Sequence, residues 1–534
     1  MATESTIFIP HGRSPNSNVA AVEYVENDED ADFNINHISD NEYEDDATAN
    51  HGKFHVGSAG IASSVANLSN TILGAGILAM PYALKNDGVF LGFLVILVSG
   101  FTAGAGLFLQ YRCSRYLDRG TASFFAIAQK TYPSLAAVFD TAIAIKCFGV
   151  GVSYLIIIGD LMPQVIVDFF FADGTLVDTI FVSRRFWISF FMVVLVPLCF
   201  LRRLDSLKYT SVVALLAIGY LVVLVIGHWL VGDTVPYRGT ISVGPYSLSG
   251  VLSTLPIVVF GFTCHQNMFS IVNELKDDRP ENALLIVFSS IGSAIVLYTL
   301  VGFTGYLSFG DNVGGNIISM YASSFSSAVG RAAIVVLVLF SYPLQCHPCR
   351  ASLDHIYTHF ILPSSGGGGG GDVSRLGLHK MSIPKRRFVV LTSVVIVLSY
   401  IVAITVSSLE TVLAFVGATG STSISFILPG IFGYKLLGSP YHLPIPDVKD
   451  DDETLESGDV VGSRQAVRLV TPEEQRGDDD DDDYESNVGR EMVRDLDGEG
   501  AVIKYASLAL AGWGIFIMVV CLGTNIWLLR QPKD

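Results

Sequence analysis

The chain has 534 residues, of which 50% are hydrophobic and only 16% are charged, and its mean hydropathy is +0.49. This composition is too apolar for a set of water-soluble domains and is typical of an integral membrane protein surrounded by a lipid bilayer. The formal net charge of −17 is concentrated in residues 1–58 and 447–500, whereas the remainder is mildly basic. Nucleic acid is therefore not an expected partner of any part of the chain.

Eleven apolar stretches have the length, or nearly the length, of a transmembrane helix. A crossing helix needs about 20 apolar residues, because the hydrocarbon core is about 30 Å thick and each residue rises about 1.5 Å. The predicted helices cover residues 61–83, 89–111, 136–162, 186–201, 211–231, 250–273, 284–309, 329–346, 388–407, 411–433 and 504–529. The stretches 186–201 and 329–346 are close to or below the minimum length, so their ends are the least defined.

Lysine and arginine residues indicate the orientation of the helices, because cytoplasmic loops carry an excess of both. With a cytoplasmic N-terminus, the cytoplasmic connections are basic at residues 112–130, 202–208, 276–279 and 350–387. The connections on the opposite side carry few basic residues. The sequence therefore predicts a cytoplasmic N-terminus, and eleven helices then place the C-terminus on the far side.

Three segments have compositions that are typical of disorder or flexibility. Residues 1–58 are predicted to form a disordered acidic cytoplasmic tail, and residues 436–501 a disordered acidic cytoplasmic loop. Residues 363–387 contain six consecutive glycines and are predicted to form a flexible cytoplasmic loop within a ten-helix core at 59–435. Residues 502–534 hold the eleventh helix and a short tail. The acidic segments either solvate the protein or bind cytoplasmic regulatory partners.

Polar residues and glycines interrupt the first predicted helix. Residues 67–76 read Asn-Leu-Ser-Asn-Thr-Ile-Leu-Gly-Ala-Gly in a segment otherwise suited to lipid. An asparagine in hydrocarbon is costly unless its amide finds partners. The run Gly74-Ala75-Gly76 is typical of a helix that unwinds and exposes its backbone. We interpret this interruption as a binding site, with close helix packing as the alternative explanation of the glycines.

The sixth predicted helix carries a similar interruption, at Gly261-Phe262-Thr263-Cys264-His265. The two interrupted helices each open one half of the first ten, which favours an inverted five-plus-five repeat with broken helices 1 and 6. The repeat is inferred from the matching breaks alone, because the halves share no visible sequence similarity. The predicted fold class is therefore all-α integral membrane, with about eleven transmembrane helices.

Inverted repeats with two broken helices are typical of transporters, and in such a fold the broken helices meet near the middle of the membrane. The N-termini of half-helices then present amides to a carboxylate, and the freed carbonyls hold a cation. Tyr154, on the third helix, is within reach of a bound carboxylate, with a packed core aromatic as the alternative interpretation. The predicted substrate-binding residues are Asn70, Thr71, Gly74, Ala75, Gly76, Tyr154, Gly261, Phe262, Thr263 and Cys264.

Two ionisable residues within predicted helices are candidates for ion or proton coupling. Lys146 lies about ten residues into the third helix, where a lysine is costly and is usually paired or functional. The alternative is a lysine that snorkels or is satisfied by carbonyls. His265 lies at the second helix break and can change charge between about pH 5 and 8. The alternative is a neutral histidine held by hydrogen bonds.

Four segments resemble a known family. They are Asn70-Thr71-Ile72-Leu73-Gly74-Ala75-Gly76-Ile77-Leu78, Pro81-Tyr82-Ala83, Gly305-Tyr306-Leu307-Ser308-Phe309-Gly310 and Asn316-Ile317-Ile318. These segments are similar to the amino acid/auxin permease superfamily, whose fold is of the amino acid-polyamine-organocation type. Within it they resemble fungal vacuolar amino-acid transporters and the neutral amino-acid branch of animal solute carriers.

This resemblance implies a cation- or proton-coupled symporter or antiporter with eleven helices and a cytoplasmic N-terminus. By motif position, Asn70 would hold a sodium ion together with a hydroxyl on the eighth helix. We assign that hydroxyl to Ser341, because no other hydroxyl lies deep in the helix. The resemblance also favours the vacuolar membrane, with the plasma membrane as the alternative.

The sequence thus predicts a secondary active amino-acid transporter that works by alternating access, with a proton as the favoured coupling ion and sodium as the alternative. An amino-acid receptor with the same fold and little flux is the second hypothesis, and a channel is the third. No phosphate-binding loop, nucleophile elbow or paired intramembrane carboxylates are present. We therefore predict no enzymatic activity, no cofactor and no metal site. The class of amino acid stays open.

Overall fold

The computed structural model describes residues 57–170, 180–201, 210–361, 383–437 and 501–531. The predicted acidic tail, glycine-rich loop and acidic loop lie almost wholly outside these residues. Within the described part of the chain the structure is helical, and its only β pairing is an isolated bridge between Ala59 and Leu275. The predicted all-α character is confirmed.

The helices follow one another along the chain with few long connections. They are α1 (Ile61–Ile72), α2 (Gly76–Asp87), α3 (Val89–Ser114), α4 (Phe124–Thr131), α5 (Ala136–Phe170), α6 (Arg184–Cys199), α7 (Thr210–Val231), α8 (Leu248–Gly261), α9 (His265–Glu274), α10 (Pro280–Phe309), α11 (Phe325–Ile361), α12 (Lys385–Thr405), α13 (Leu409–Leu436) and α14 (Ala501–Arg530). We call α1 with α2 span one, and α8 with α9 span six.

Among the described residues, nine helices are long and apolar enough to cross a membrane, with span six counted as one of them. Span one, bent at its break, makes a tenth. The prediction of an integral membrane protein is therefore confirmed. The remaining predicted crossing, 186–201, corresponds to α6, which has only 16 residues.

Helix α6 nevertheless runs along the whole of α12, which is a full-length candidate span. At one end, the Arg184 guanidinium donates to the Val406 carbonyl, just beyond the end of α12, over 3.1 Å. At the other end, the ring centroids of Phe200 and Phe388 lie 6.3 Å apart. Because α6 reaches both ends of α12, it crosses to the same depth, which supports the predicted count of eleven.

The predicted end of the eighth helix at residue 346 is wrong, because α11 continues to Ile361. We expected the helix to leave the membrane there, so that the residues from 350 onward would lie in a cytoplasmic connection. Instead Arg350 is buried and donates hydrogen bonds to the Cys199 carbonyl and to Thr392, each over 3.1 Å. Partners on α6 and α12 thus satisfy a charge that the sequence alone assigned to the surface.

Counting the membrane-spanning segments in chain order, each of the first four packs against the segment five places later, so that one meets six, two meets seven, three meets eight and four meets nine. Within spans one and six the pairing is crossed, because α1 contacts α9 and α2 contacts α8. Helix α3 packs on α10, α5 on α11 and α6 on α12. An inverted repeat produces this pattern, because its in-plane two-fold axis brings equivalent helices together in opposite orientations. The contacts agree with the predicted inverted-repeat fold.

Candidate functional site

Span one breaks at the predicted position. Helix α1 ends at Ile72, α2 begins at Gly76, and the two helices are bent by 53°. A Cβ added to Gly76 would lie 2.6 Å from the Cα of Gly261, so glycine is required there. The two interrupted helices therefore meet at their breaks and touch there through their backbones.

Span six is interrupted over residues 262–264 but still counts as one span of 27 residues. The Thr263 hydroxyl donates to the Val259 carbonyl over 2.8 Å. The Phe262 ring is fully buried and packs edge-on against Tyr298, with 5.0 Å between ring centroids. Phe262 thus anchors this break in the helix bundle.

Tyr298, on α10, links the two breaks. Its hydroxyl oxygen lies 2.6 Å from the Ile72 carbonyl and 2.8 Å from the Gly261 carbonyl, so its single proton is shared between the ends of α1 and α8. Carbonyls at helix C-termini lack intrahelical partners, and a buried helix end needs a substitute donor. The sequence analysis missed Tyr298, because it lies in an uninterrupted apolar helix far from either break along the chain.

A cavity lies where the breaks meet. The empty space within its boundary is about 280 Å³, which includes space open to solvent. Its walls are formed by Thr71, Ile72, Gly74, Ala75, Gly76, Lys146, Val150, Tyr154, Phe260, Thr263 and Gln345.

The cavity gathers only part of the predicted site. Its wall includes the predicted substrate-binding residues Thr71, Gly74, Ala75, Gly76, Tyr154 and Thr263 and the predicted coupling residue Lys146. The wall does not include Asn70, Gly261, Phe262, Cys264, Ser341 or His265. Span one thus contributes five of the eleven lining residues, and span six contributes two.

Lys146 brings a cationic side chain to the cavity wall from α5. The residue is 2% exposed, and its ammonium nitrogen lies 3.4 Å from the amide oxygen of Gln345. No ion pair joins it to a carboxylate in the described part of the chain. A buried charge without a counterion is costly, so this wall is suited to an anionic group of a ligand. Gln345 was not predicted.

Ser341 reaches the cavity only through Tyr154. The Tyr154 hydroxyl faces the Ser341 side chain, and it lies 3.5 Å from the position of a Cβ added to Gly74. The Ser341 hydroxyl itself donates to the Leu337 carbonyl over 2.8 Å. Tyr154 therefore stands between the predicted span-eight hydroxyl and the break in span one.

The last turn of α1 is tied to α9 through Thr71. The Thr71 hydroxyl accepts a hydrogen bond from the Asn267 side chain over 2.7 Å and donates to the Asn67 carbonyl over 3.0 Å. Asn70 lies in the same turn and is half-buried. The polar residues that marked this segment therefore join the half-helices on one side of both breaks.

His265 begins α9, is fully buried, and faces α3 rather than the cavity. Its Nε2 lies 3.1 Å from the Ala103 carbonyl, so Nε2 carries the hydrogen. Its Nδ1 has no partner among the described residues, and neither do the side-chain amides of Gln110 and Gln266. Buried polar atoms of this kind are usually satisfied by ordered water. The geometry fits a neutral histidine in this conformation.

Comparison with known proteins places these features in a family. The family model described as "Transmembrane amino acid transporter protein" matches residues 57–442. Vacuolar amino acid transporter 5 of Schizosaccharomyces pombe is 49% identical over 71% of this chain and 85% of its own length. Vacuolar amino acid transporter 6 of Saccharomyces cerevisiae is 46% identical over 73% and 92%. Sodium-coupled neutral amino acid transporter 7 of Rattus norvegicus is 28% identical over 68% and 76%.

Among solved structures, the chain is similar to Mhp1, a nucleobase-cation-symport-1 family transporter, in a closed conformation with bromovinylhydantoin bound. The TM-score is 0.48 and the sequence identity 12%, over 72% of this chain and 80% of that chain. The family model spans well over half of the present sequence. The chain belongs to the transmembrane amino acid transporter family.

Proposed function

We propose that the protein is a secondary active transporter that moves amino acids across the vacuolar membrane by alternating access, driven by protons. The observation that carries this proposal is the cavity at the meeting point of the two breaks. A site between broken helices can open to either side of the membrane when the two repeats rock against each other. The vacuolar names of the fungal relatives support the location.

The cavity offers complementary ends to an amino acid. Ala75 and Gly76 line it at the N-terminus of α2, which is the positive end of that helix and suits a carboxylate. Phe260 and Thr263 line it at the C-terminal end of α8, which suits an ammonium. The Gly261 carbonyl is already bonded to Tyr298. We therefore place the ammonium beside Thr263, one of the predicted substrate-binding residues.

The coupling ion has two candidate sites. Asn70 and Ser341 would supply oxygens to sodium, whereas His265 would take up a proton. Among the described residues, Nδ1 of His265 has no acceptor for a second hydrogen in this conformation. Protonation therefore requires water or a partner that the transport cycle brings to it. We favour the proton, because a residue whose proton affinity differs between two conformations couples transport to pH.

Reconstitution into proteoliposomes, with a panel of amino acids, tests the proposal. We expect saturable uptake that is driven by a pH gradient in the absence of sodium. The variant His265→Ala is expected to weaken the pH dependence of uptake more than substrate binding, whereas His359→Ala, at the far end of α11, leaves both unchanged. Saturable binding without flux would favour the receptor, and strict sodium dependence would restore Asn70 with Ser341 as the ion site.

The proposed cytoplasmic N-terminus has a separate test. A protease added to the cytoplasmic side of intact vacuoles is expected to cut within residues 1–55, in the glycine run and within residues 450–500. Cleavage of the last segment only from the lumenal side would contradict both the eleven-helix count and the orientation.

A further inference from the structure

Asp87 is a fully buried carboxyl group at the last position of α2, and no candidate site above includes it. Its Oδ1 lies 2.7 Å from the hydroxyl oxygen of Thr254 on α8. Its Oδ2 is buried and has no hydrogen-bond partner among the described residues. An isolated carboxylate in an apolar interior is costly, whereas a protonated carboxyl group is much less so.

The hydrogen bonds that the Thr254 hydroxyl can make depend on whether Asp87 is protonated. Its oxygen lies 2.7 Å from Asp87 but also 3.0 Å from the Gly250 carbonyl and 3.2 Å from the Val251 carbonyl. A hydroxyl donates one hydrogen bond and can accept further hydrogen bonds at its oxygen. If Asp87 is protonated, it donates to Thr254, which in turn donates to Gly250, and both bonds are made at once. If Asp87 is ionised, it takes the Thr254 proton and the bond to Gly250 is lost.

The helices packed against α2 place no counterion at Asp87, which forms no ion pair in the described chain. Helix α8 contains no charged residue. The single charged residue of α3, Arg112, and that of α10, Glu281, lie at the opposite ends of those helices. Arg112 and Glu281 therefore cannot compensate a charge on Asp87.

The other ionisable groups in this region have their own contacts. On α2 itself, the Lys85 ammonium nitrogen lies 3.5 Å from the Val313 carbonyl. The Glu410 carboxylate, on α13, lies against Gly315, where an added Cβ would be 2.0 Å from it. The Tyr306 hydroxyl, on α10, accepts from the Ser242 amide over 2.9 Å. The short turn Ile317–Ser319, which also contacts α2, has no charged residue.

We propose that Asp87 is a proton-binding site that controls closure of the transporter on its far side, by allowing α2 to pack against α8 only when a proton is bound. This proposal rests on the proposed function and on the N-terminus-inside orientation, which places the end of α2 at the lumenal face. The second half of span one and the first half of span six meet there. Opening this contact exposes Asp87 to lumenal water, where it ionises. Closure expels that water and requires a proton from the lumen.

The consequence is that an acidic lumen promotes closure over bound substrate and hence turnover. Asp87 lies 11 positions beyond Gly76, at the opposite end of α2 from the break. It therefore acts on the gate and is separate from the substrate-binding groups of the cavity. A proton that drives transport can still be carried elsewhere.

The test is amino-acid exchange in proteoliposomes at equal pH on both sides, because exchange requires cycling of the gates but no gradient. For the wild-type protein we expect exchange to slow as pH rises, approaching about tenfold per pH unit, the limit for one proton. Asp87→Asn mimics the protonated side chain, and we expect its exchange to be fast and independent of pH.

Asp160→Asn is the matched control. Asp160 is another intramembrane aspartate toward the same face, but it is paired with Arg184 over 3.0 Å, so the variant should keep the wild-type pH profile. Folding is verified by substrate affinity in detergent. If Asp87→Asn binds substrate and keeps the wild-type pH profile, the Asp87 proposal is overturned and the proposed function stands. If the wild-type protein binds an amino acid but exchanges none, the proposed function itself fails.

Discussion

The two helix breaks have similar sequences, but they contribute differently to the cavity wall. The break in span one bends the chain by 53° and supplies Thr71, Ile72, Gly74, Ala75 and Gly76 to the cavity wall. The break in span six lies within one span and supplies only Phe260 and Thr263. Span one therefore contributes more of the cavity wall than span six, whose break is mainly packed into the helix bundle.

The side chains explain this difference. Residues 74–76 are Gly, Ala and Gly, whose small size lets this break line the cavity while its backbone packs against Gly261. Phe262, Cys264 and His265 are fully buried, with Phe262 against α10 and His265 against α3. Large side chains at the second break thus fill the bundle interior. An inverted repeat therefore does not imply two equivalent half-sites.

The largest expected effect comes from separating the breaks. Gly76→Ala would place a Cβ 2.6 Å from the Gly261 backbone, and overpacking of this kind costs about 1–3 kcal/mol. We expect substrate affinity and uptake to fall about tenfold or more, measured per amount of folded protein. Gly104→Ala is the control, because a Cβ there meets nothing within 4 Å. Equal effects of the two substitutions would show that the contact between the breaks is unimportant.

The next largest effect is expected for Tyr298→Phe, which removes the donor shared by the Ile72 and Gly261 carbonyls. A buried carbonyl without a partner costs about 1–3 kcal/mol. We expect lower thermal stability and a raised apparent KM for the transported amino acid. The control Tyr220→Phe removes a tyrosine bond to the Ser326 carbonyl outside the breaks and should lower stability at most. A normal KM in Tyr298→Phe would mean that the two breaks are positioned independently.

The sequence predicted the breaks because they carry a local signal. Glycines and amides are conspicuous in an apolar segment, so the interruptions near Gly74 and Gly261 could be located to within a few residues. The helices themselves were equally visible, since an apolar stretch of sufficient length has few alternatives in a membrane. Two helices end later than predicted: α5 continues to Phe170 instead of ending at residue 162, and α11 continues past residue 346, where Arg350 has buried partners.

Residues that act from intact helices could not be predicted in the same way. Tyr298 and Gln345 lie in continuous helices far from either break along the chain, and only the packing of α10 and α11 brings them to the site. His265 was found by its position at a break, but position does not fix the direction of a side chain. Its ring turns toward Ala103. The sequence did not indicate Asp87, because its lack of a counterion is a property of the packed structure.

A smaller effect is expected from Lys146, in the cavity wall opposite span one. Lys146→Gln removes the buried ammonium from the cavity while keeping a polar side chain beside Gln345. Hydrogen bonds to charged groups contribute about 1.5–3 kcal/mol, so we expect KM to rise about tenfold with an unchanged pH profile of uptake. Lys85→Gln, whose ammonium lies near Val313 outside the cavity, is the control. Loss of the pH dependence at constant KM would instead assign Lys146 to proton coupling.

The smallest effect is expected at the contact between α1 and α9. Asn267→Ala removes the hydrogen bond to the Thr71 hydroxyl, and a neutral bond contributes only about 0.5–1.5 kcal/mol. Thr71 keeps its bond to the Asn67 carbonyl, so the wall of the cavity is preserved. We expect a less than tenfold change in KM, with Asn312→Ala, which loses a bond to the Tyr237 carbonyl, as the control. An effect as large as that of Gly76→Ala would mean that span six shapes the binding surface as strongly as span one, and the asymmetry between the breaks would then be lost.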